Sequence, residues 1–252
     1  MKNIFIGALI LAGGIAVREV GAAEPLASFA SAIAQGDALY AQRADFSANK
    51  AALAAYERAV VMDPSSSEAH WKAARAAWWA GTCLKEDRSA IPYFQKGIDY
   101  GENSVRLDPK SAETHFWLGS NYGSFGYVKG ALTSLRLIKS IRKEMNKVNE
   151  INPGYISGGA DRVLGILDYK VPGLVGGDKK QARVELERSF ASDPTFPVTM
   201  YYLAEYWDVM GKKETARTYL KKLNELPVKD DDKPEFAVIQ DKVRDLTKKL
   251  IP

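Results

Sequence analysis

Four dipeptides in which an acidic or amide residue precedes proline, Asp63-Pro64, Asp108-Pro109, Asn152-Pro153 and Asp193-Pro194, recur at intervals of 45, 44 and 41 residues. Each closes a run of helical spacing, and proline suits such a boundary because it has no amide hydrogen and its ring collides with the preceding turn. Leu226-Pro227 makes a fifth, weaker rung. A fixed period of this length marks an array of similar supersecondary units, none of which can bury its apolar face alone.

A second ladder runs inside the first. Leu118-Gly119 with Tyr122 matches the Leu-Gly-x-x-Tyr half of the tetratricopeptide repeat (TPR), and Ala73-Ala74 with Ala77, Leu164-Gly165 with Asp168 and Leu203-Ala204 with Trp207 are looser copies. The second-helix half reads as Ala52, Tyr56, Ala59 and Pro64, again as Ala182, Leu186, Ser189 and Pro194, and as Ala216, Leu220 and Leu223 in the last unit. Small residues at these positions let two antiparallel helices approach closely while Leu and aromatic side chains fill the space between them. The expected fold is all-α: a TPR-like helical-repeat solenoid of four to five helix pairs with a C-terminal capping helix. The spacing predicts pairs at 26–43 with 48–62, 67–80 with 90–107, 111–125 with 128–150, 157–169 with 178–191, and 197–210 with 213–225, then a cap at 234–249. The repeats exceed the standard length, with extra residues at 82–92 and 171–177.

Of 252 residues, 46% are hydrophobic, enough to bury a core, and the formal charge of +4 is spread rather than blocked, which leaves no nucleic-acid footprint. Cys83 is the sole cysteine, so no intramolecular disulfide forms, and inside a helical run it reads as a small packed residue. Lys2 precedes an apolar run from Ile4 to Val17, followed by Gly21, Ala22 and Ala23. That is a secretory signal pattern over 1–23, with cleavage near Ala23 and a helical-repeat domain over 24–252; the competing reading is an uncleaved anchor, since Arg18 and Glu19 interrupt the pattern. Either way the chain is expected to be exported, to the periplasm, with no cysteine at the cleavage point to carry a lipid.

His70 and His115 lie one repeat apart in matching contexts, Glu68-Ala69-His70-Trp71 and Glu113-Thr114-His115-Phe116, so repeat packing is favoured over a shared metal. The run Gly173-Leu174-Val175-Gly176-Gly177-Asp178 lacks the Lys-Ser/Thr of a phosphate loop, and Asp178 reads as a helix N-cap. With no nucleophile elbow, zinc helix or acid–base pair, no enzyme, cofactor or metal is expected. Lys229-Asp230-Asp231-Asp232-Lys233 reads as a solvated linker. Helical geometry then sketches a concave groove of Trp71, Arg75 and Trp78; Glu113, Phe116 and Ser120; Arg162, Ile166 and Tyr169; and Tyr201, Glu205 and Asp208. Its arginines suit the carboxylate of an organic acid or acidic peptide, or else pair with Glu68, Glu205 or Asp208.

Asn152-Pro153-Gly154-Tyr155, the run 158–165, and Val171-Pro172-Gly173 through Gly176-Gly177-Asp178 resemble the T-component family of TRAP (tripartite ATP-independent periplasmic) transporters. The resemblance spans about 63–227, and the Pro-Gly…Gly-Gly turn is its most specific feature. It implies a periplasmic helical protein associated with a solute-binding subunit, a small organic-acid or hydrophobic ligand, and a homotrimer. The alternative is a general cell-envelope scaffold holding a peptide or assembly partner in its groove. A weaker resemblance, from residues 68–71 and the Asp-Pro rungs, is to the microtubule-dynamics regulator type of repeat, and implies fold rather than cytoskeletal work.

Overall fold

The computed structural model describes residues 28–85 and 88–251; the signal-like segment lies outside them. The described residues form eleven α-helices: α1 (Phe29–Tyr40), α2 (Phe46–Met62), α3 (Ser67–Thr82), α4 (Ile91–Leu107), α5 (Ala112–Lys129), α6 (Ala131–Ile151), α7 (Tyr155–Lys170), α8 (Lys179–Ser192), α9 (Pro197–Val209), α10 (Lys213–Glu225) and α11 (Lys233–Leu250). Every expected pair is present with boundaries shifted by a few residues, and short 3-10 turns occupy Arg88–Ala90, Gly173–Val175 and Asp230–Asp232. Among these residues no helix is long and apolar enough to cross a membrane.

The rungs have a physical reason beyond proline. The side-chain oxygens of Asp63, Asp108, Asn152 and Asp193 each accept the amide hydrogen two residues on, from Ser65 (3.0 Å), Lys110 (3.0 Å), Gly154 (3.2 Å) and Thr195 (2.9 Å). One turn chemistry therefore ends α2, α4, α6 and α8 alike. In two of the turns a histidine closes the other side: His70 Nε2–H donates to the Pro64 carbonyl at 3.1 Å and His115 Nε2–H to the Pro109 carbonyl at 3.0 Å. Ser66 and Ser111 cap the helices that follow.

Within each pair the helices pack face to face; successive pairs are joined chiefly by the second helix of one against the first of the next, α2 on α3, α4 on α5, α6 on α7 and α8 on α9, and the first helices also meet, α3 on α5, α5 on α7 and α7 on α9. The second helices make no comparable lateral contact among the described residues, so the odd-numbered row lies on the inner side of the curve. Small residues permit this. Ala69, Ala73, Ala74, Ala76, Ala77 and Ala80 of α3 are fully buried, and Asn49 and Asn121 reach into this helix to donate to the carbonyls of Ala76 and Ala74. At the far end α11 covers the last pair: Ile239, Val243, Leu246 and Leu250 pack on Met200, Tyr201, Leu220 and Leu223.

Candidate functional site

The inner row begins at α3. Arg75 lies over the Tyr40 ring, its guanidinium carbon 3.6 Å from the centroid, and 4.9 Å from the centroid of the Trp71 ring. It donates to the Tyr56 hydroxyl at 3.1 Å and pairs with Asp37 at 3.6 Å. The predicted carboxylate partners Glu68, Glu205 and Asp208 are engaged elsewhere, by Lys72, Lys170 and Lys249. Burial pushes the Tyr40 hydroxyl up to about 12, against the opposing pull of Arg75 and Arg43, so it stays a neutral ring between cations. Trp71, Arg75 and Trp78 are half-buried. They are the part of the expected groove that still presents surface at the start of the row.

The remainder of that groove is filled by its own side chains. Phe116, Ser120, Arg162, Tyr169 and Tyr201 are all less than a tenth exposed, whereas the sequence reading placed them on an open concave wall. The cause is aromatic packing between neighbouring inner helices. Trp79, Trp78, Trp117, Phe116 and Tyr155 form a continuous ring-to-ring chain across α3, α5 and α7, with centroids 5.1–5.8 Å apart. The Trp117 indole closes it by donating to the Tyr155 hydroxyl at 3.1 Å. Tyr169 and Tyr201 both donate to Glu205, so the three form one cluster between α7 and α9. Asp208 and Glu205 remain half-buried, and Glu113 likewise.

Arg162 is the clearest correction. The α7 backbone is left-handed at Ile156, Ser157 and Gly158 (φ 49°, 54° and 67°). This turns the carbonyls of Ile156 and Ser157 toward Arg162, which donates to both at 3.2 and 3.1 Å. The same guanidinium reaches Thr199 Oγ1 at 3.0 Å and lies 4.6 Å from the Phe196 ring. Complete enclosure pushes its pKa down to about 10, which still leaves it charged. Arg162 is a buried clamp on a strained turn rather than part of an open concave wall.

The two histidines differ although their positions match. The His115 ring uses Nε2–H on a carbonyl, so its Nδ1 contact with Glu144 Oε2 at 2.5 Å is made by a second N–H of an imidazolium. Burial opposes that charge, but Glu144 and the Pro109 carbonyl outweigh it and raise the pKa above 6.5. His70 has a buried Nδ1 without a partner, and burial lowers its pKa. Cys83 is half-buried, with burial raising its thiol pKa, consistent with a packing role.

The turn Pro172, Gly173, Gly176, Gly177 and Asp178 protrudes, with Leu174 fully exposed at its tip, and borders an open hollow of about 500 Å³ with Tyr169, Lys170 and Lys179. It is held from below. Arg142 grips Asp168 at 2.5 and 3.0 Å and donates to the Gly176 carbonyl at 2.7 Å, while the Asp178 amide donates to Asp168 at 3.1 Å. A side chain on Gly177 would run into the Val171 carbonyl, which is why this position is glycine. Asp178 caps α8 as expected, accepting from the amides of Lys180 and Gln181. Beneath lies Glu185, whose carboxyl is pushed up to about 7 by burial and by neighbouring Asp168.

Sequence reasoning missed one feature. The linker 229–233 is not merely solvated: the Asp231 carbonyl accepts from Arg43 at 2.8 Å, and Arg43 grips Glu235 of α11 with both carboxylate oxygens at 3.0 and 2.9 Å. Arg43 sits between α1 and α2, so the last helix is tied to the first pair. No repeat pattern encodes a contact between ends.

A family profile described as Regulator of microtubule dynamics protein 1-3 matches residues 32–184. No curated protein matches the chain. Among solved structures, a thermophilic TPR protein of Thermus thermophilus superposes with a TM-score of 0.65 at 18% identity, over 88% of this chain and 100% of that one. PilW, a widely conserved type IV pilus biogenesis factor, gives 0.57 at 19% identity over 88% and 91%. The pilF protein of Pseudomonas aeruginosa gives 0.56 at 15% identity, over 88% of each chain. At these identities the likeness fixes the fold as a TPR-like helical repeat.

Proposed function

The chain belongs to the Regulator of microtubule dynamics protein 1-3 family, and from that premise we propose that it is a non-enzymatic helical-repeat scaffold that binds a peptide or protein partner through the start of its inner row. The observation that carries this reading is the half-buried Trp71–Arg75–Trp78 stripe on α3, with Arg75 held against both Tyr40 and Trp71. Aromatic and arginine side chains held rigid at a partly open surface are the residue types that dominate partner binding. In our reading the apolar run 4–17 exports the chain to the periplasm, away from the cytosol and its microtubules, so the family name here denotes fold.

The finer reading is an accessory component of TRAP-type solute uptake, contacting a solute-binding subunit and acting as a homotrimer with a small organic-acid or hydrophobic ligand. It rests on the Pro-Gly…Gly-Gly turn. That turn falls within the residues covered by the regulator family, so the scaffold reading leads. Capture from periplasmic extract with the chain from residue 24 onward, followed by mass spectrometry, separates the two. A solute-binding protein among the retained partners supports the finer reading, and assembly factors support the scaffold. In either case Trp71→Ala should reduce retention about tenfold with helicity by circular dichroism unchanged. Undiminished retention would remove the α3 stripe from the binding face.

A further inference from the structure

Helix α11 uses two sets of residues for two purposes. Its apolar stripe covers the last pair, as any terminal repeat requires. Its N-terminal half and the turn before it instead reach the first helices of the array: Glu235 and the Asp231 carbonyl to Arg43, and Asp241 to Lys85 at 3.2 Å. The receiving corner is assembled without α11. Arg43 lies over the Tyr40 ring at 5.3 Å and the Trp79 ring at 5.4 Å, and Tyr40 is backed by Arg75. The ring contacts of the guanidinium involve no residue of α11, which supplies only the Glu235 carboxylate oxygens.

The corner is selective for what fills it. A helix N-terminus carries partial positive charge and by itself would repel Arg43; an acidic residue in the first turn satisfies the dipole and the guanidinium together. A neutral or basic tip would leave Arg43, only 15% exposed, without its counter-ion. The second contact, Lys85 with Asp241 six residues on, is far more exposed and adds register rather than strength.

We propose that the Tyr40–Arg43–Trp79 corner, extended by Lys85, is a receptor for the N-terminal end of an amphipathic helix with an acidic residue in its first turn, that α11 is its resident occupant, and that a partner helix of the same pattern binds by displacing the tip of α11. This rests on the scaffold reading and names its partner class. The test uses the whole chain carrying Glu235→Arg, which opens the tip while keeping the receptor and the apolar stripe, and a fluorescent peptide of residues 229–251 as probe. Hydrogen exchange of the amides at 235–240 should quicken in the variant. By fluorescence anisotropy at low salt the peptide should bind it about tenfold more tightly than the unaltered chain. Adding Arg43→Glu should abolish that gain, and a peptide bearing Glu235→Arg should not bind. Unchanged exchange, equal peptide affinity for both proteins, or binding indifferent to Arg43→Glu would each overturn the proposal. These readouts need no cellular partner, so they can fail while capture through Trp71 succeeds, and the reverse.

Discussion

Arg162 shows how a residue type misleads when its neighbours are unknown. An arginine on an inner helix reads as a ligand for carboxylates, and helical spacing alone assigns it to the groove. Three successive left-handed residues before it reverse that assignment, because they aim two carbonyls inward that need a donor. Nothing in Ile156-Ser157 announces left-handed backbone. Gly158 does: φ is 67°, and an added Cβ would meet the Ser189 backbone at 2.8 Å. Arg162→Ala should therefore cost about 3 kcal/mol in urea unfolding, from unpaired carbonyls and a cavity. Unfolding unchanged from the parent chain would return Arg162 to the surface. The histidines, by contrast, were read correctly as packing residues from their shared repeat position. Their opposite titration was not legible, since it depends on Glu144 lying beside one of them and nothing acidic beside the other's Nδ1.

Helices were legible to within a few residues because α2, α4, α6 and α8 end at a rung whose side chain makes the turn, and α3, α5 and α8 begin at a capping serine or aspartate. The turn after α7 was legible as a turn but not as a charged assembly. Asp168 and Glu185 occupy ordinary core-facing positions in their repeats, and only packing brings them together with Arg142 as their shared cation. Glu185 has a folded pKa of about 7 against an ordinary 4.5. An acid raised in this way contributes stability that is complete below 4.5 and lost as pH rises through 7. Glu185→Gln keeps the shape and the neutral form, so its stability relative to the parent chain should be near zero at pH 4.5 and favourable by about 3 kcal/mol at pH 8. Urea midpoints across that range check it. A difference independent of pH would mean that Glu185 is ionised in the fold throughout.

At the scale of the molecule, periodicity predicts a stack and a cap but cannot say how tightly the stack coils. The aromatic chain from Trp79 to Tyr155 draws the inner helices together, and the concave wall expected to be open becomes core. The cap is equally committed to structure. Ending the chain at residue 228 would expose Met200, Tyr201, Leu220 and Leu223, and should give a protein that binds hydrophobic dyes and associates at micromolar concentration. A monomeric, dye-silent product would show that the last pair needs no cover. The tie between Arg43 and Glu235 has a kinetic consequence as well. Repeat arrays fold through neighbour contacts that close short loops, whereas this pair is separated by 192 residues. It can form only after every intervening pair has set, and, held by few contacts at the edge of the stack, it yields before the packed rows do. Assembly thus finishes, and unravelling starts, at the same two side chains.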